Sequence, residues 1–132
     1  MQNMQILIDK FIESTLIHNA NCRSDVGLAN KHLRIATKCM CKIKQYNGWT
    51  KSVVKMLKNP NGCIRCSVAY HLLPYKTFSA FITLMKLELL GYPDVAPKIL
   101  LEEWVSGKLK FPELENGKIV YKLSKELINK KT

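Results

Sequence analysis

Between Val26 and Leu87 the chain contains no Asp or Glu, although eleven Lys and Arg residues fall in that stretch. The remaining ten basic residues balance the ten acidic ones, so the formal net charge of +11 is regional. A neutral frame around a cationic middle excludes simple supercharging for solubility and points to a surface built to meet something acidic. Other absences narrow the class further. With 6 Gly and 5 Pro among 132 residues, and no Ser, Gly or Pro tract, there is no visible linker, and disorder is expected only at the extreme termini. No apolar run reaches the length of a membrane span, since the most apolar stretch, Phe78 to Leu90, carries Lys86 and Glu88. Met1 to Lys10 lacks the basic start and apolar h-region of a signal peptide. The expectation is one soluble cytoplasmic domain covering residues 1–132, large enough for one core.

Catalytic signatures are equally scarce. No glycine-rich phosphate loop, nucleophile elbow or metalloprotease motif is present. Glu102 and Glu103 are neighbours that point apart on a helix, and Glu88 stands alone. Five cysteines are an odd number, and Cys39/Cys41 and Cys63/Cys66 are spaced too closely to be good disulfide partners, which suits a reducing compartment. Cys63-x-x-Cys66 and Cys39-x-Cys41, with His18, His32 and His71, are the material for a zinc site. That site wants four ligands presented from loops, whereas these cysteines fall on helices, where small core thiols are the stronger reading. Cys63 near a helix start has an acidifying position, but His71 is about two turns, roughly 12 Å, further along the same helix. No enzyme, metal or cofactor is expected.

What is present is helical periodicity. Ile6, Leu7, Phe11, Leu16 and Ile17 mark a first helix, about Met4 to His18. Ser24 or Asp25 caps a second, which should run to about Tyr46, where Asn47-Gly48 stops it. On that helix Ala29, Leu33, Ala36, Met40 and Ile43 share one side, and Lys31, Arg34, Lys38 and Lys42 lie nearly opposite. A third helix, Trp49 or Thr50 to Lys58, repeats the design with Val53, Val54 and Leu57 inside and Lys51, Lys55 and Lys58 outside. Asn59-Pro60-Asn61-Gly62 forces a turn. A fourth helix covers Cys63 to Leu73 with Ile64, Val68, Ala69 and Leu72 inward. A fifth covers Tyr75 to Leu90, and a sixth runs from the cap Asp94 to Ser106 with Pro97 in its first turn. Beyond Gly107 the pattern weakens: Lys108 to Lys118 reads as a loop, and Ile119 to Leu127 as a short strand or a last helix.

Six amphipathic helices in consecutive pairs, joined by tight Pro or Gly turns, are the signature of an all-α fold built as a short α-solenoid. The segment Val53-Val54-Lys55-Met56-Leu57-Lys58-Asn59-Pro60-Asn61-Gly62-Cys63-Ile64-Arg65-Cys66-Ser67-Val68-Ala69 resembles the turn of a HEAT repeat. More broadly, Leu7 to Lys110 resembles a group of small bacterial HEAT-like proteins, matching in type at Leu7-Ile8-Asp9-Lys10-Phe11, at Asn59-Pro60 and at Glu103-Trp104-Val105-Ser106-Gly107-Lys108-Leu109. The resemblance implies a right-handed array of HEAT-like pairs with a less regular tail, in which Arg65 braces the turn by hydrogen bonds to nearby carbonyls or carboxylates. Small helical proteins of this look include immunity partners in bacterial polymorphic toxin systems such as contact-dependent growth inhibition. By that resemblance the partner is an acidic toxin C-terminal domain, blocked by stoichiometric occlusion.

The residues themselves support a partner-binding ridge of Lys31, Arg34, Lys38, Lys42, Lys51, Lys55 and Lys58, because like charges repel and are costly when nothing compensates them. Tyr46 and Trp49, beside Asn47-Gly48, are either aromatic anchors for that partner or caps on the core. Nucleic acid is the alternative partner. The ridge is rich in Lys, poor in Arg, and outside any helix-turn-helix or RNA-binding signature, which favours protein.

Overall fold

The computed structural model describes residues 3–131, with side chains through Leu127. Several turns in the chain are set by local chemical devices. Asn3 Oδ1 accepts from the Ile6 amide at 2.9 Å and opens helix α1, Met4–Asn21. Asp25 Oδ1 accepts from the Leu28 amide at 3.1 Å and opens α2, Val26–Ile43. Such caps satisfy amides that the first helical turn leaves unpaired. Helix α3, Trp49–Val54, tightens into a 3₁₀ turn over Lys55–Lys58, because Pro60 forces the preceding Asn59 out of helical geometry, to φ −58° and ψ 135°. Asn61 then caps α4, Gly62–Leu72, accepting from the amides of Cys63 at 2.8 Å and Ile64 at 3.3 Å. Arg65 Nη1 reaches back to donate to the carbonyls of Asn59 at 2.8 Å and Pro60 at 3.1 Å. The guanidinium therefore ties the first turn of α4 to the turn before it.

Helices α5, Thr77–Leu89, and α6, Ala96–Val105, follow. Asp94 accepts from the Ala96 amide at 3.2 Å, while the cap position itself is Val95. Helix α1 packs along α2, α4 along α5, and α5 against α6, with α1 also touching α4. One buried apolar cluster joins these contacts, and Phe11, Met40, Ile43, Val53, Ile64, Val68, Leu72 and Leu84 are sealed within it. Each such side chain contributes roughly 1.5–3 kcal/mol of transfer free energy.

The tail departs from expectation. Lys110–Glu115 is a strand, β1, paired antiparallel with β2, Lys118–Leu123, and the chain closes with α7, Ser124–Lys131. Asn116 and Gly117 both take positive φ, 51° and 76°, the pattern of the two-residue hairpin turn that Asn-Gly favours. Residues 108–118 are therefore largely a strand and its turn. Residues 119–127 divide into strand and helix. Pro112 is tolerated because each strand of a two-stranded ribbon is an edge. Phe111 is fully buried, stacked on Tyr70 at 5.1 Å and edge-on to Trp104 at 6.0 Å, and the Tyr70 hydroxyl donates to the Lys110 carbonyl. The hairpin thus closes one end of the helical layers against α2, α4 and α6.

A second departure concerns Leu33. It lies on the inward arc of α2, yet it is 45% exposed. It faces an open cleft of about 330 Å³ shared with residues of α1, α4 and α6. Toward the other end of α2 the buried arc widens to include Thr37, Cys39 and Cys41.

Candidate functional site

At about 100° per residue, Lys31, Arg34, Lys38 and Lys42 fall within an arc of about 80° on the side of α2 opposite the buried Ala36, Met40 and Ile43. Lys31, Arg34 and Lys38 are exposed. Lys42 is half-buried where the hairpin tip approaches, on a cavity of about 510 Å³ shared with Leu7, Tyr46, Leu114 and Asn116. Lys51, Lys55 and Lys58 are exposed on α3 and its 3₁₀ turn, an element that packs on α4. The structure therefore divides the seven cations between α2 and the α3–3₁₀ segment. Among the described residues none of the seven has a carboxylate within 4.0 Å, and Lys122 takes Glu113 at 3.8 Å and Glu115 at 2.6 Å.

Trp49 is only 6% exposed and stands edge-on to Tyr75 with centroids 4.9 Å apart. It is packed as a core residue, the second of the two roles expected for it. Tyr46 is half-buried and packs against the core. Lys44, a half-buried cation of the acid-free block, lies over the Tyr75 ring at 5.7 Å and donates to the Pro112 carbonyl at 3.5 Å. It helps to hold the hairpin, in the manner of a cation against an aromatic face.

The cysteines sit mostly inside. Cys39, Cys41 and Cys66 are buried, Cys63 is half-buried and Cys22 is exposed. Burial pushes the Cys66 thiol up to about 12, with the neighbouring Cys63 and Asp94 adding to it. Burial likewise raises Cys63, against a hydrogen bond with Tyr92 that lowers it. Since the thiolate is the nucleophile and the metal ligand, these two groups are held in the less reactive form. Among the described residues no three of His, Cys, Asp and Glu converge on a common point. His18 Nδ1 donates to the Ala29 carbonyl at 2.9 Å and ties α1 to α2. His71 is 4% exposed with Nδ1 unpaired, and burial, then the charge of Lys44, holds its pKa well below 6.5.

One grouping was not singled out from the sequence. A cleft of about 690 Å³ opens between the α3–3₁₀ segment, the start of α4 and α5, and it brings Lys58, Arg65 and Lys86 around apolar residues. Lys86 belongs to the acid-free block, so the charge signal was present. Its neighbours in space were not, because they come from three separate elements. At the cleft's end Tyr92 lies against the backbone of Gly62, where an added Cβ would come within 2.7 Å of the ring. Glycine at 62 is what lets that wall close.

No family model, curated protein or solved structure matches the chain. Functional statements therefore rest on the site itself.

Proposed function

We propose that the chain is a protein-binding module that captures an acidic partner protein on its basic helical surface and blocks it by occupancy, without turnover. The supporting observation is the set of seven cations on α2 and the α3–3₁₀ segment, all exposed except the half-buried Lys42, with no carboxylate partner among the described residues. Holding like charges together on a folded surface costs stability, and a complementary partner removes that cost while speeding encounter. A scaffold of packed helices also loses little freedom on binding.

The resemblance of the Asn59-Pro60 turn to HEAT repeats makes the proposal concrete. The finer reading of the fold is a short right-handed α-solenoid of HEAT-like pairs, supported by the successive packing of α1 on α2, α4 on α5 and α5 on α6 and by the Arg65 brace. The partner is then a cognate bacterial toxin C-terminal domain of the contact-dependent growth inhibition type, met in the cytoplasm, and the chain is its immunity protein. Consistent with a cytoplasmic site of action, no described helix is long and apolar enough to cross a membrane.

The test is coexpression with the toxin-like domain encoded beside its gene. The expected result is a stoichiometric complex that survives gel filtration and protects the host cell. Failure of that domain to bind, or tight binding to random DNA at physiological salt instead, overturns the proposal.

A further inference from the structure

The cleft beside α5 carries more than charge. Its floor is apolar, with Val54, Leu57, Ile82 and Leu87, and its rim carries Lys58 and Lys86, while no Asp or Glu lines it. Arg65 adds a third positive group, fixed in place by its bonds to the Asn59 and Pro60 carbonyls. The apolar surface continues out of the cleft. Phe78, Ile82, Met85 and Leu89 recur at helical spacing on the side of α5 away from its buried residues Ala80, Leu84 and Leu87. Phe78 is 80% exposed, Leu89 76% and the adjoining Leu90 84%. Contiguous exposed apolar surface rimmed by charge marks an interaction site.

The charge selects the occupant. A second copy of a chain with net charge +11 would bring like charges together, whereas a carboxylate-bearing segment would pair with Lys58 and Lys86 as its apolar side fills the floor. A groove that flanks a helix of thirteen residues, about 20 Å long, matches a partner helix of three to four turns. We propose that this cleft is the seat of an amphipathic, acidic α-helix of the partner, with apolar residues at i, i+3 or i+4 and i+7 on Val54, Leu57, Ile82 and Leu90, and with flanking carboxylates at Lys58 and Lys86. The inference rests on the reading of the chain as a binder of an acidic protein. It places the anchoring contact in this cleft and leaves the α2 cations to guide approach.

The probe is a fluorescein-labelled synthetic helix of about sixteen residues, with Leu along one face and Glu on both flanks, titrated into the full chain and mapped by backbone amide shifts. Saturable one-to-one binding is expected, with shifts centred on residues 54–58 and 79–93. The double change Lys58→Glu with Lys86→Glu, and separately Leu90→Asp, should each weaken binding about tenfold or more. These three residues are exposed, so unchanged thermal melts are expected and separate lost binding from lost fold. A peptide that keeps its Glu residues but has Ser for Leu should not bind; equal binding of that control overturns the cleft by reducing it to charge alone. Shifts confined to residues 31–42 also overturn it while leaving the basic-face proposal standing. So does an absence of peptide binding, or binding only to phosphatidylserine vesicles that Leu90→Asp abolishes. The toxin-domain complex is the independent arm. If it forms and survives all of these substitutions, this inference fails and the proposed function does not.

Discussion

Replacing Arg65 by Met isolates the brace that joins α4 to the turn before it. In the parent, Nη1 donates to the Asn59 carbonyl at 2.8 Å in a partly buried setting and to the Pro60 carbonyl at 3.1 Å at an exposed one. A hydrogen bond from a charged donor is worth about 1.5–3 kcal/mol, and water readily replaces the bond to Pro60, so the Asn59 bond carries most of the effect. Against this, Arg65 sits in the first turn of α4, where a positive charge faces the positive end of the helix dipole at a cost of roughly 0.3–1 kcal/mol. The net expectation is a loss of about 1–2 kcal/mol. In urea unfolding, with a slope of about 2 kcal/mol per molar for a chain of this size, the midpoint should fall by about 0.5–1 M with the slope unchanged. Arg65→Lys keeps the charge without the planar fork and should recover less than half of the loss. A midpoint for Arg65→Met within about 0.1 M of the parent would refute the reasoning and leave the turn to Pro60 and the two asparagines alone.

Three further perturbations follow from the same geometry. Because the folded state holds His71 well below its ordinary pKa of 6.5, the unfolded chain alone takes up its proton as pH falls through that value; stability should drop below about pH 6.5 by up to ~1.4 kcal/mol per pH unit. His71→Leu should flatten that part of the profile, and equal urea-midpoint slopes for parent and variant between pH 7.5 and pH 5.5, the range of the test set at about one unit either side of the ordinary value, would contradict it. A thiol reagent added to the native protein should modify exposed Cys22 first, half-buried Cys63 more slowly, and Cys39, Cys41 and Cys66 only on unfolding, since those three are buried and carry raised pKa values; more than two equivalents modified without unfolding would contradict the packing. Gly117→Val puts a β-branched residue at φ 76°, at about 1–2 kcal/mol, and should lower the melting temperature by several degrees; an unchanged melt would mean that the hairpin contributes little.

Much of the helical layout was legible because local chemistry dictates it. Asp25, one of the two caps that the sequence offers, caps α2, Asn59-Pro60 ends the α3–3₁₀ segment, and Ile64, Val68, Ala69 and Leu72 all turn inward. The hairpin was missed because Phe111-Pro112 reads as a loop when the strand is taken to need every amide. Edge geometry lifts that requirement, and Asn116-Gly117 is the sequence signal of the hairpin turn. Leu33 shows the limit of periodicity, which gives the direction of a side chain relative to its helix but not whether a neighbouring helix comes near enough to cover it. Trp49 shows the converse: a residue beside a surface turn became core because Tyr75, from another segment, stands edge-on to it. The α2 face could be drawn from spacing alone. The cleft could not, since Lys58, Arg65 and Lys86 meet only through the packing of separate elements.

The claim that the basic face recruits an acidic protein is tested most directly by stopped-flow association with the cognate toxin domain. Arg34→Glu with Lys38→Glu is the variant of choice, because both side chains are exposed, whereas Lys42 is half-buried beside the hairpin. At low salt the association rate should fall by about an order of magnitude or more relative to the parent, and the two rates should converge as salt screens the field. An association rate equal to the parent's at low salt would show that the α2 cations are only a solvated helix face, and would contradict the claim.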